Sequence, residues 1–239
     1  MPSISPENTW KKQSNMKLSQ RTYEAVKDIW QECIDHPFVK GIADGTIDRK
    51  KFIYYTLQDD LYIVEYAKNF AWGVIKAKKE SDIIEFANLT PFMLAGENDM
   101  HRDYLHAIGV RDETIAKTKM NMVNHSYTSF MLNTASREGA AEIIAAILPC
   151  SWSYALIGEW VGKHADEKTK KDPALGPWIE MYSSEEFMKK NDEIIAMYDR
   201  LSQGYTEEQM QHLIDIVEIS SHYEKLFWDA AWNYIPESK

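Results

Sequence analysis

Apolar side chains recur along most of this chain at steps of three and four residues, the period of a helix that buries one face. Tyr23, Val26, Trp30, Cys33 and Ile34 keep that period up to His36-Pro37, where proline disfavours helical geometry in the residue before it. Phe38 to Asp44 reads as a short helix or turn that ends at Gly45, a residue suited to a left-handed cap. Asp48 is placed to cap a long helix running to about Lys79, and Ser81 opens another that continues towards His106, bent at Pro91. Weaker helical periodicity covers Asp112 to Asn124 and Ser126 to Ser136. Ser184 to Gln203 predicts a surface helix ending at Gly204. Thr206-Glu-Glu-Gln209 is a capping box that opens a last helix to about Tyr234.

Ala140 to Gly162 is apolar on nearly every side, so it is expected near the centre of the molecule. Its length approaches that of a membrane span, but Glu142, Pro149, Ser151, Ser153 and Glu159 interrupt it and argue against lipid. No stretch alternates with a period of two, no repeat is visible, and no linker rich in Gly, Ser or Pro divides the chain. The expectation is an all-α fold, a single-domain helical bundle over residues 16–239. Residues 1–15 are polar and lack the apolar core of a signal peptide; they read as a disordered extension, with Met16 a candidate start.

Composition narrows the classes of function. A 44% hydrophobic and 12% aromatic content places the chain among globular proteins. The net charge of −10 opposes a phosphate backbone or an anionic membrane as partner. Cys33 and Cys150 are too few for a disulfide framework or a zinc pattern, which fits a cytoplasmic protein.

Three reactive side chains sit in phase with apolar stripes. In the last helix Leu213, Ile214, Val217, Ser220, Ser221, Glu224, Phe227 and Trp228 share one face, so Glu224 projects where a core residue belongs. Burial there would raise its pKa and suit it to acid–base work, unless a cation from another helix pairs with it. Asp59 shares a face with Phe52, Tyr55, Tyr62, Tyr66 and Phe70, as a ligand anchor or as part of a buried hydrogen-bond network. Cys150 shares a face with Ile147, Tyr154 and Ile157, and reads either as a small inert core residue or as a nucleophile re-aimed by Pro149, with the Tyr154 hydroxyl beside its sulfur. No Gly-rich phosphate loop, GxSxG or HExxH is present, and no Glu-x-x-His of a di-iron bundle. The Glu-x-x-x-His spacings, Glu97/His101 among them, form a weak signal for a metal.

At these residues the sequence resembles the TenA/thiaminase II family. The likeness is carried by the run from His36 to Thr46, by Tyr54-Tyr-Thr-Leu-Gln-Asp59 with Tyr62, by Ser126-Tyr-Thr-Ser129, by Leu148-Pro-Cys-Ser-Trp-Ser-Tyr154, and by Ser220-Ser-His-Tyr-Glu224 with Phe227-Trp228. It spans Leu18 to Trp232. The resemblance implies a heme-oxygenase-like fold, a homotetramer, and an aminopyrimidine aminohydrolase of thiamin salvage needing no metal or organic cofactor. It also implies roles: Cys150 as nucleophile, Glu224 as proton donor to a ring nitrogen, and Asp59 as holder of the other ring nitrogen and the 4-amino group. Tyr127, Tyr154 and Tyr182 would line the pocket, with Tyr62 and Phe227 around the ring. Two alternatives stand beside this: a metal-dependent oxidase on the same fold using Glu97 and His101, and a non-enzymatic regulatory protein.

Overall fold

Short polar side chains set where the site-bearing helices begin. In the computed structural model, which describes residues 16–92, 94 and 98–235, the helices are α1 (Leu18–Ile34), α2 (Pro37–Ala43), α3 (Arg49–Lys76), α4 (Glu80–Phe92), α5 (Asn98–Ala107), α6 (Asp112–Lys117), α7 (Met122–Arg137), α8 (Ala140–His164), α9 (Glu167–Lys170), α10 (Leu175–Tyr182), α11 (Glu185–Leu201) and α12 (Glu207–Trp232). Asp48 accepts from the Lys50 and Lys51 amides at the start of α3. Asn121 accepts from Asn124 at the start of α7, and Ser184 from Phe187 at the start of α11. Thr206 and Gln209 satisfy each other's amides reciprocally, as the capping box predicts. No strand occurs among the described residues, which are α-helical in every element apart from a π-helical position at Leu94.

The apolar helix α8 lies at the centre, packed against α1, α2, α3, α7, α10, α11 and α12. Its mean hydropathy of 1.6 would suit a membrane span, but 78% of that apolar window is buried inside the fold, so other helices rather than lipid cover it. Pro149 has no N–H to give to the preceding turn. Carbonyls nearby accept from other helices instead: Ala146 from the Ser220 hydroxyl at 2.9 Å and Ile147 from the Tyr66 hydroxyl at 3.2 Å. Those two bonds tie α8 to α12 and α3 one turn ahead of Cys150.

At Gly158 the end of α10 lies against the backbone of α8. A methyl group there would lie 2.0 Å from the carbonyl oxygen of Tyr182, which is backbone and cannot turn aside. Gly158→Ala should therefore cost about 1–3 kcal/mol through overpacking, read as a lower urea midpoint at unchanged slope.

Two helix boundaries differ from the sequence expectation. The long helix α3 stops at Lys76 rather than Lys79, and the chain turns back so that the Phe86 ring of α4 covers Gly73. Of the expected bent helix from Ser81 to His106, the described residues form α4 and α5, with Pro91 in the last turn of the first; residues 93 and 95–97 between them lie outside the described residues. The stretch from Asp112 to Asn124 breaks after Lys117 because Gln58 pins the turn. Its amide donates to Lys119 O at 2.9 Å, and its side-chain oxygen accepts from the Asn121 N–H at 2.9 Å. The helices α9 and α10 were not among the expected elements. Residues 1–15, expected to be a disordered extension, lie outside the described residues.

Candidate active site

Four helices deliver reactive side chains to one place. α3 contributes Asp59 and Tyr62, α7 Tyr127, α8 Cys150 and Tyr154, and α12 Glu224 and Phe227; together these line a cavity of about 170 Å³. A larger cavity of about 460 Å³ shares Asp59, Cys150 and Tyr154 with it and adds Tyr182, Tyr66, Leu89, Ser151, Phe187, Lys190 and Ile194. All eight side chains named from the sequence thus line one or both of two cavities that share Asp59, Cys150 and Tyr154. The adjacent Gln58-Asp59 pair divides its work: Gln58 anchors the turn that starts α7, and Asp59 faces the cavities.

Glu224 is 3% exposed. Its partner is a phenol rather than a cation: the Tyr127 hydroxyl donates to Oε1 at 2.7 Å. Burial pushes its pKa up from 4.5 to about 7, and the Tyr127 hydrogen bond pulls it part of the way back. At neutral pH such a carboxyl both gives and takes a proton readily. Desolvation also holds Tyr127, Tyr62, Tyr154 and Tyr55 well above the ordinary phenol range, so each remains a neutral donor.

Asp59 sits at the end of a buried polar chain. The Tyr55 hydroxyl donates to Asp59 Oδ2 at 3.2 Å and accepts from Trp178 Nε1 at 3.2 Å. Tyr55 has a single proton, so in its 3.1 Å bond with the Tyr154 hydroxyl it is the acceptor and Tyr154 the donor. The Tyr154 proton is therefore committed to Tyr55. Cys150 differs from the sequence expectation: it is half-buried rather than buried, because both cavities lie against it. The other thiol, Cys33, is fully enclosed, and burial pushes its pKa far up, as for an inert core residue.

Around the smaller cavity the walls are aromatic. Tyr62 lies 5.3 Å from Tyr127 and 5.9 Å from Phe227 between ring centroids, and towards the larger cavity Tyr154 lies 5.0 Å from Tyr182. Sequence reasoning missed Trp178, and it placed Tyr55 on the Asp59 face without a role. Trp178 lies in α10, which was not expected, and nothing in the one-dimensional pattern joins it to α3. It also missed Ser151, Phe187 and Lys190 of the larger cavity, since only folding brings α11 over α8. Of the alternative metal ligands, Glu97 lies outside the described residues, and His101 packs against Asp59 with its Nε2 3.5 Å from Oδ2. Among the described residues no group of three or more His, Cys, Asp or Glu is arranged to hold a metal ion.

The helical arrangement is that of the heme-oxygenase-like proteins. It overlays a Shewanella denitrificans domain of unknown function with that fold at a TM-score of 0.67, with 15% identity and coverage of 96% of this chain and 93% of that one. A TenA homologue from Pyrococcus horikoshii matches at a TM-score of 0.81, with 28% identity over 91% of this chain and 99% of its own. The sequence model of the TENA/THI-4/PQQC family matches residues 23–234. An aminopyrimidine aminohydrolase of Helicobacter pylori is 36% identical over 217 residues, 91% of this chain and 99% of that protein. This chain belongs to the TENA/THI-4/PQQC family.

Proposed function

We propose that the protein is a hydrolase of carbon–nitrogen bonds, an aminopyrimidine aminohydrolase of the thiaminase II type. It converts 4-amino-5-aminomethyl-2-methylpyrimidine to the 5-hydroxymethyl compound and ammonia in thiamin salvage, and also splits thiamin. The observation that carries this reading is the smaller cavity, where Cys150, Glu224 and Asp59 meet within an aromatic enclosure. Its relative from H. pylori carries the same activity in its name.

The chemistry follows from those three groups. Asp59 holds the 4-amino group and the adjoining ring nitrogen. The Cys150 thiolate bonds to a ring carbon while Glu224 gives its proton to the remaining ring nitrogen, which takes up the electron pair displaced from the ring. That pair then expels ammonia from the protonated aminomethyl group and leaves an electrophilic exocyclic methylene. Water bonds to the methylene, and its proton restores Glu224. Finally the carbon–sulfur bond breaks, the thiolate returns, and the ring N–H proton leaves with ammonia as ammonium. The larger cavity, which Cys150 also lines, gives the departing group room.

The direct test is incubation with the aminomethylpyrimidine, and separately with thiamin, while ammonia and hydroxymethylpyrimidine are followed. Stoichiometric release of both from the first substrate is expected; release of neither would remove the reading. A finer test uses Tyr127→Phe. Losing the hydrogen bond that favours the ionised carboxylate moves the Glu224 pKa further up, so the acid form survives to higher pH. The alkaline limb of kcat/KM should move to higher pH, and a limb that stays in place would assign it to another group.

A further inference from the structure

His101 is buried without exposure, and among the described residues neither of its ring nitrogens has a hydrogen-bond partner. An imidazole enclosed in this way gives up two hydrogen bonds to water and lowers stability, whereas a leucine of similar size would lose nothing. The ring lies against Asp59, with Nε2 3.5 Å from Oδ2, the same oxygen that accepts from Tyr55. The next residue repeats the pattern: Arg102 Nε lies 3.3 Å from Oδ1 of Asp60. Two successive residues of α5 thus meet two successive acids of α3, which fixes the register of α5 behind the site. The Tyr104 ring stands edge-on to His101 at 6.4 Å and 87°.

We propose that His101 is a positioning residue: its Nε2–H holds Oδ2 of Asp59 from behind, together with Tyr55, so that the carboxylate keeps the orientation that receives the 4-aminopyrimidine edge. This rests on the function proposed above. Desolvation keeps the imidazole neutral, with its pKa lowered to about 3. It therefore has one N–H, and a carboxylate neighbour requires that proton on Nε2. A neutral donor orients Asp59 without cancelling its charge, which an arginine or lysine in the same place would do. The 3.5 Å separation is long for a hydrogen bond, and contacts of this kind shorten when a ligand draws the carboxylate into place.

The test compares His101→Leu and His101→Gln with the full-length protein, using 4-amino-5-aminomethyl-2-methylpyrimidine as substrate. The leucine variant should melt at the same temperature or higher, since the unpaired nitrogens are gone. Its KM should rise about tenfold while kcat changes by less than about twofold, because only binding orientation is lost. Glutamine places an amide N–H near the position of Nε2 and should bring KM back to within about threefold of wild type. In an Asp59→Asn background, the leucine change should leave KM within about twofold of that background, since the group it positions is gone. A folded leucine variant with wild-type KM, a glutamine variant no better than leucine, or an undiminished effect without Asp59 would each overturn the proposal. Should the leucine variant not fold, His101→Met carries the same expectations. A wild-type protein that releases no ammonia would instead sink the proposed function, which keeps the two failures apart.

Discussion

Replacing Cys150 with serine should leave a folded protein that binds the aminopyrimidine and releases no measurable ammonia, with kcat/KM lower by about 10³-fold or more. The substitution exchanges sulfur for oxygen at nearly constant volume. Because Cys150 is half-buried against two cavities, the packing change is small and stability should fall by less than about 1.5 kcal/mol. Chemistry changes far more. A serine hydroxyl ionises much less readily than a thiol near neutral pH, and the phenols beside it, Tyr62, Tyr127 and Tyr154, are held neutral and take no proton from it. Binding can be followed separately by quenching of tryptophan fluorescence. Intact-protein mass spectrometry of wild type mixed with substrate and quenched in acid should show an adduct that the serine variant lacks. Retention of more than about a tenth of wild-type turnover would remove Cys150 from the role of nucleophile.

Glu224→Gln is expected to move activity and stability in opposite directions. Activity should fall by about 10²- to 10³-fold, since the amide cannot deliver a proton to the ring nitrogen. Stability follows from the raised pKa. In the unfolded chain the carboxyl titrates near 4.5, and in the folded protein at about 7. Between those values the folded protein keeps a proton that the unfolded chain has released, so stability declines as pH rises across the interval. The contribution is fully present below the unfolded value and lost above the folded one, a span worth on the order of 3 kcal/mol. Glutamine has no such titration, and its side-chain oxygen can still accept the Tyr127 hydrogen bond. The variant should therefore be more stable than wild type at about pH 8 and nearly equal to it at about pH 4, measured by urea unfolding at each pH. Equal stability at both would show that Glu224 is not desolvated in solution.

If both outcomes hold, Glu224 is a site where function and stability conflict. A carboxyl kept away from water costs stability throughout the pH range in which it is charged. The neighbouring Tyr127 reduces that cost and does not abolish it, since its hydrogen bond is outweighed by desolvation. Chains that build such sites offset the cost elsewhere. Here the enclosing aromatic core, with Trp30, Trp178 and Trp228 fully buried, is the natural place.

The helical period of the chain determined the helices and their inward faces. Glu224 falls between Ser221 and Phe227, and Asp59 between Tyr55 and Tyr62, on faces that the structure buries. Caps were equally legible at Asp48 and Thr206, because they act on amides two or three residues away. A carboxylate in phase with apolar residues is a local observation, and so is its unusual burial. The family likeness carried the rest of the site assignment, since Tyr127 and Tyr182 stand out by no local rule.

What lies between helices had to come from the fold. Whether Glu224 would meet a cation or a phenol depended on α7 lying against α12, and that in turn on Gln58 of α3 fastening the turn before Asn121. The proton of Tyr154 goes to Tyr55 because Tyr55 gives its own to Asp59, a choice made where α3 meets α8, and α10 adds Trp178 as a second donor to the same phenol oxygen. His101 shows the same limit: its spacing from Glu97 suggested a metal, and its place behind Asp59 came only from α5 docking on α3. Period and caps act over a few residues and can be read along the chain. The partner of a buried polar group is chosen by contacts among residues far apart in sequence, and only the packed molecule specifies them.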